Sequence, residues 1–251
     1  MILNPIVSVV MPAHNASEFI EESIDSVLNQ SLKNIELIIV DDFSRDGTRK
    51  IIEKYSSRDI RVRPEYLLEQ KGVSAARNIG ISKSRGRFIA FLDSDDLWMA
   101  NKLEKQLAYM TAHNVGFTYC GYEIINDQGD VLGKRRITES ELNHSQLLKG
   151  NRIGLLSVML TRQLASDHPF PDIHHEDYGC WLSILRDGQV AYRFSRELLC
   201  RYRKHKTSLS SNKLKAASWT WHIFRSFEKL NVFQSMYYFL FYVYMALTDK
   251  R

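Results

Sequence analysis

The first hundred residues alternate short apolar runs with amphipathic ones, and this alternation restricts the chain to a sheet wrapped by helices. Ile6–Met11 reads as a buried strand, and the spacing of Ile20, Ile24, Val27 and Leu28 predicts a helix after it. Asn15, with Glu18 three residues on, resembles a capping box at the start of that helix. Ile35–Val40 predicts a second strand, a helix follows from about Arg45 to Tyr55, and Arg61–Leu68 predicts a third strand. A helix over Val73–Lys83 and a strand over Phe88–Leu92 complete the rhythm. The expected fold is α/β, with a mainly parallel central sheet and helices on both faces. In such sheets ligands gather beyond the carboxyl ends of the strands.

After Asp96 the rhythm changes. Leu103–His113 predicts a helix, and Val115–Ile125 a strand that returns around Val131–Lys134 through a turn at Asn126–Asp130. Tyr178, Trp181, Leu182 and Leu185 predict a helix beginning near Glu176, followed by a hairpin near Val190–Tyr202. No Gly-, Pro- or Ser-rich linker interrupts the 251 residues. The chain therefore divides into residues 1–113 and 114–212, two halves of one domain over one cleft, and a helical tail at 213–251.

Composition excludes disordered and collagen-like classes, with 44% hydrophobic and 25% charged residues. Cys120, Cys180 and Cys200 form no CxxC pair, which points away from a disulfide scaffold or a zinc site and towards a reducing cytoplasm. Met1–Pro5 lacks the basic segment and cleavage site of a signal peptide, so the protein is expected to stay inside the cell. Between Arg193 and Lys215 stand eight basic residues against Glu197 alone, a bias larger than the whole chain's net +5. Such a cluster suits ligand phosphates, nucleic acid or an anionic membrane. No aromatic-rich RNA-binding signature accompanies it, so nucleic acid is not an expected partner.

Val232–Leu247 holds seven aromatics and no charge in 16 residues. At about 1.5 Å per residue it is shorter than the ~30 Å hydrocarbon layer, and its tyrosines favour the headgroup level. Contact with one membrane face, a packed core helix or dimer surface, and a true span all stay open.

The chemistry gathers at strand ends. Asp93-Ser94-Asp95-Asp96 places three carboxylates within four residues after the fourth strand, which repel one another unless a cation sits between them. Hard oxygens suit Mg2+ or Mn2+, and Mg2+ takes one or two carboxylates plus substrate phosphates. A solvated, helix-capping turn is the plainer alternative. Asp41-Asp42 ends the second strand, where a carboxylate can accept from a nucleobase or a ribose hydroxyl. Gly72–Gly80 reads as a helix with small residues on one side, open to a ligand's approach, with Arg77 near the acids.

Four segments together resemble family 2 glycosyltransferases of the GT-A fold: Val7–Asn15, Val40–Thr48, Ala75–Gly80 and Phe91–Asp96. The resemblance extends over roughly residues 5–205, and it makes residues 1–113 a nucleotide-sugar-binding half. It implies that Pro12, Ala13, Asn15 and Asp42 contact the nucleotide, with Arg77 close by. It implies further that Asp93 and Asp95, with Asp96, hold the sugar nucleotide and the metal. His14 stands where the family often has Tyr. His174-His175-Glu176-Asp177 is similar to the family's Glu-Asp motif, whose Asp acts as catalytic base. A carboxylate in a helix's first turn is expected to stay ionised and to take a proton from a sugar hydroxyl. Tyr202–Ser210 resembles a Tyr-Arg-x-His-x-x-Ser-x-Ser segment, in which Arg203 would face the diphosphate and His205 would complete the metal's coordination.

The reading implied is an inverting, metal-dependent transfer of one sugar from a UDP-sugar. The acceptor expected is a polyprenyl-diphosphate-linked saccharide of bacterial O-antigen or capsule assembly, met peripherally at the inner face of the plasma membrane. Two other classes compete: a receiver-like signalling domain, suggested by Asp41-Asp42 and Asp93, and a carbohydrate-binding protein that kept the fold and lost catalysis. The receiver pattern would place its acid pair after the first strand and add a later Lys-Pro, and neither feature occurs.

Overall fold

The computed structural model describes residues 5–205 and 213–248. Strands β1 (Val7–Ala13), β2 (Ile35–Asp41), β3 (Val62–Tyr66) and β4 (Phe88–Phe91) lie parallel in the order 3-2-1-4. Every residue of β1 and β2 is buried, because helices cover both faces of this half. Helices α1 (Ile20–Leu28), α2 (Thr48–Arg58) and α3 (Val73–Lys83) make the connections. Strand β5 (Leu97–Trp98) and helix α4 (Lys102–His113) lead into the second half.

There the sheet turns mixed. Strands β6 (Phe117–Ile125), β7 (Val131–Arg135), β8 (Glu141–Leu142), β9 (Met159–Thr161) and β10 (Ala191–Arg203) extend it to ten strands. β9 runs antiparallel between β4 and β6, so one sheet joins the two halves without a break. Short helices α5 (His144–Leu147) and α6 (Arg162–Asp167) and the longer α7 (Glu176–Arg186) pack around it. Alternate residues of β1 feed opposite cores: Val9 and Met11 join Ile24 and Ile52, while Val10 joins Phe91, Phe117 and Trp181.

Three expectations change. Asn15 does not cap α1: it lies in the left-handed region at φ 49°, and its Oδ1 accepts from Arg45 N instead. The hairpin at Val190–Tyr202 is one long strand, β10, whose register with β6 shifts between Arg193, Leu198 and Arg201. Its polar Ser195–Glu197 stretch marks that irregularity and not a turn. The small face of α3 serves packing. A Cβ on Gly80 would overlap the side chain of Val10 on β1, so glycine there lets helix and strand close together.

The tail forms α8 (Lys213–His222), a π-helical turn at Ile223–Phe227 and α9 (Val232–Thr248). Tyr238 and Phe239 of α9 pack against the core, while Phe233, Met236, Tyr237, Leu240 and Tyr244 are exposed. Among the described residues no helix is long and apolar enough to cross a membrane.

Candidate active site

β1 and β2 end level, with Ala13 opposite Asp41, whereas the last paired residue of β4, Phe91, stands opposite Val10. The chain beyond Leu92 is thereby released at the carboxyl edge of the sheet, where the Asp93–Asp96 turn borders two cavities. The smaller, about 220 Å3, is lined by His14, Asn15, Phe19, Ser94, Asp95 and His205. The larger, about 560 Å3, is lined by Arg77, Asp93, Asp96, Glu176 and Asp177 among others.

On the smaller side the loops after β1 and β2 interlock. His14 Nδ1 lies 2.6 Å from the Asp42 carbonyl, and His14 Nε2 lies 3.0 Å from Asn15 Nδ2. A carbonyl can only accept, so Nδ1 carries the proton and Nε2 accepts from the Asn15 amide. Both carboxylate oxygens of Asp42 accept backbone N–H groups, from Lys71 at 2.7 Å and Gly72 at 2.8 Å. Asp42 therefore ties the strand end to the start of α3. Pro12 and Ala13 are buried within β1 beneath these loops.

The acids of the turn are crowded. Asp95 titrates above the ordinary carboxylate range, through burial first and then the neighbouring charge of Asp93. Asp96 is raised further, by burial and by both of its neighbours. Asp95 Oδ2 meets His205 Nε2 at 2.8 Å, and His205 Nδ1 meets Asp127 at 2.7 Å. Burial opposes the charged ring, but these two hydrogen bonds outweigh it and raise the His205 pKa. Asp96 Oδ1 accepts from Arg203 N at 2.8 Å. Oxygen donors crowded in this way suit a hard divalent cation bound by one or two carboxylates and substrate phosphates. Among the described residues no three acidic, His or Cys side chains are already grouped for a metal ion, so phosphates would have to complete the set.

Arg203 is turned into the fold. Its guanidinium donates to the carbonyls of Asp95 and Asp127 and to Glu22, and it lies 4.4 Å from the Phe19 ring centroid. The fork expected to face a diphosphate braces the acidic turn from behind. Two further members of the basic cluster are spent internally: Arg193 donates to the carbonyls of Ile137 and Thr138, and Arg201 pairs with Glu123. The Lys206–Ser210 part of the Tyr202–Ser210 motif lies outside the described residues.

Arg77 bridges the halves. Its Nη2 donates to Asp93 Oδ1 at 2.8 Å and its Nη1 to Glu176 Oε1 at 2.5 Å, while the guanidinium lies 5.3 Å from the Phe170 ring centroid. Asp177, next along α7, points into the larger cavity. Its Oδ1 accepts from Tyr178 N at 2.7 Å, and Asn151 Nδ2 reaches its Oδ2 at 3.4 Å. Helix-terminal placement does not keep this carboxyl in the ordinary range: burial first, then the charge of Glu176, lift it to about 7. His174 stacks on Trp219 of α8 at 4.1 Å, forming an aromatic wall of the same cavity.

Asn151, Trp219, Arg135 and Arg152 line this cavity and were not foreseen. Trp219-Thr220-Trp221 in a helix was a readable signal for an aromatic surface, but the polar loop around Asn151 offers no periodicity.

Comparison with known proteins agrees with this architecture. The 349-residue form of TarS from S. aureus, solved with UDP-GlcNAc, superposes with TM-score 0.73 at 19% identity, over 97% of this chain and 76% of that one. The mannosyltransferase PcManGT from Pyrobaculum calidifontis, solved with GDP-Man and Mn2+, gives TM-score 0.71 at 18% identity, over 99% and 77%. The Escherichia coli UDP-Glc:alpha-D-GlcNAc-diphosphoundecaprenol beta-1,3-glucosyltransferase WfgD is 41% identical over 243 residues, 96% of this chain and 94% of its own. The sequence profile described as Glycosyl transferase family 2 matches residues 8–182. The chain is a glycosyltransferase, and it belongs to glycosyl transferase family 2.

Proposed function

We propose that this protein transfers one sugar from a UDP-sugar to a polyprenyl-diphosphate-linked saccharide, with inversion at the anomeric carbon. The observation that carries the reading is Asp177: a carboxyl of pKa about 7 facing a 560 Å3 cavity that also reaches Asp93 and Asp96. A base poised near neutrality can take a hydroxyl proton as the oxygen attacks. WfgD, whose name specifies UDP-Glc and a diphosphoundecaprenol-linked GlcNAc, supports the choice of donor and acceptor class.

Pro12, Ala13, Asn15 and Asp42 form the nucleotide end, with the interlocked His14–Asn15–Asp42 contacts fixing its shape. Asp93 and Asp95 are the residues that would hold a divalent cation, with Asp96 and His205 adjoining them. When bound, such an ion supplies positive charge at the leaving diphosphate. Arg203 acts as a positioning residue that holds the turn. Arg77 holds Glu176 beside the base, and the charge of Glu176 favours proton uptake at Asp177. The acceptor enters the larger cavity beside Trp219, whose face suits a sugar ring. Opposite-face attack on an α-linked donor yields a β-glycoside.

The test is a panel of UDP- and GDP-sugars, offered with Mn2+, Mg2+ or chelator and a GlcNAc-diphosphate carrying an alkyl chain. Acceptor-dependent UDP release with a divalent ion, and a β-linkage by NMR, are expected. Absence of acceptor-dependent release with every UDP-sugar defeats the reading, as does full activity in chelator for its metal part.

A further inference from the structure

We propose that Arg152 and Arg135 form an anion subsite that takes the phosphate groups of the acceptor; this rests on the lipid-linked acceptor read above. Both line the cavity that holds Asp177. Arg152 Nη1 pairs with Glu139, yet its Nε is buried with no hydrogen-bond partner. A buried guanidinium N–H left unsatisfied is costly, and a phosphate oxygen is the ligand chemistry that answers it. Arg135 lies close enough for its charge to weaken Arg152's hold on its proton, after burial itself, so an anion at Arg152 would feel both cations.

The subsite connects to the chemistry through one residue. Arg135 Nη2 lies 3.4 Å from the Asn151 carbonyl, and the Asn151 side chain reaches Asp177. An anion on the arginine pair thus sits within a short reach of the base, as the phosphates of a one-sugar acceptor must when that sugar's hydroxyl gives up its proton and attacks the donor. Tyr242 of α9 lines the same cavity, so the molecule beyond its phosphates is led towards the tail helix. The donor's phosphates are the other source of such chemistry. They are assigned to the opposite side of the Asp93–Asp96 turn, and the experiment separates the two.

Wild-type protein is given three acceptors that share one sugar and one alkyl chain: a diphosphate, a monophosphate and a phosphate-free glycoside. KM should rise on the order of ten-fold or more as phosphates are removed. In R152Q the preference for diphosphate over phosphate-free acceptor, as a kcat/KM ratio, should fall at least ten-fold, with R152K recovering part of it and KM for UDP-sugar unmoved. Equal use of all three acceptors by wild type overturns the subsite and leaves the function standing. A raised KM for UDP-sugar in R152Q, with the acceptor ratio intact, overturns it in favour of the donor's phosphates. Failure of wild type on all three acceptors defeats the underlying function.

Discussion

Arg77 joins Asp93, on the turn after β4, to Glu176, at the head of α7, and thereby sets the distance between the donor-side acids and the candidate base. Its side chain is 4% exposed, and the two carboxylates draw its pKa upward against the cost of burial. Removing one partner of a buried ion pair costs about 3–5 kcal/mol, because the remaining charges lose their counterion. Arg77→Met should fall at the lower end, since Asp93 is a third exposed. The expected result is lowered thermal stability together with transfer reduced about a hundred-fold. Unchanged values for both would show that the bridge is incidental.

Asp177 carries a pH signature. Its carboxyl ionises at about 7 through burial and the adjacent Glu176, so kcat/KM should rise with pH through an apparent pKa near that value and then level. Asp177→Asn should abolish transfer and spare UDP-sugar binding. Stability moves the other way. A carboxyl whose folded pKa is raised penalises folding progressively as pH climbs above its unfolded value, and the penalty is complete above about 7. The Asn variant should therefore gain Tm at pH 8 and little at pH 4, by about 2–4 °C per kcal/mol relieved. A gain of equal size at both pH values would contradict the assigned ionisation.

The first half was legible because its strands are buried on both faces: seven successive buried residues in β1 and in β2 leave no polar interruption to misread. The edge placement of Asp42 and Asp93–Asp96 was legible because parallel strands export the residues that follow them to one end of the sheet. The second half was less readable. β9 has three residues and β8 two, each defined by its neighbours and not by its own pattern. Arg203 was assigned to the ligand because sequence shows a charge but not its direction. Glu22 and Phe19, 181 and 184 positions away in the chain, claim it from α1 and its approach. Arg152 and Asn151 were invisible for the converse reason: a polar loop acquires meaning only when α7 is placed beside it.

Gly80 tests the packing account of α3. A methyl group there meets Val10 on β1, within a sheet whose other face is also covered, so neither element can retreat cheaply. Gly80→Ala should cost about 1–3 kcal/mol as overpacking, despite the better helix propensity of Ala. A Val10→Ala partner should restore much of the loss if the clash is its cause. An additive double variant, measured by urea denaturation, would refute that cause.

α9 exposes an apolar stripe at Phe233, Met236, Tyr237, Leu240 and Tyr244, spacings of three and four that keep one helix face continuous. Its other face holds Ser235, fully buried, and Tyr238 and Phe239 against the core. The helix is therefore anchored to the protein and apolar towards the outside, the arrangement expected of a surface that lies on a membrane interface. Replacing Phe233, Leu240 and Tyr244 by Ser should leave the core contacts in place. Such a protein should lose vesicle co-sedimentation by ten-fold or more, each large apolar side chain contributing about 1.5–3 kcal/mol when fully buried. Its transfer to a water-soluble acceptor analogue should persist. Retained sedimentation with anionic vesicles would place the attachment elsewhere, and lost activity on the soluble analogue would mean that the stripe supports the fold.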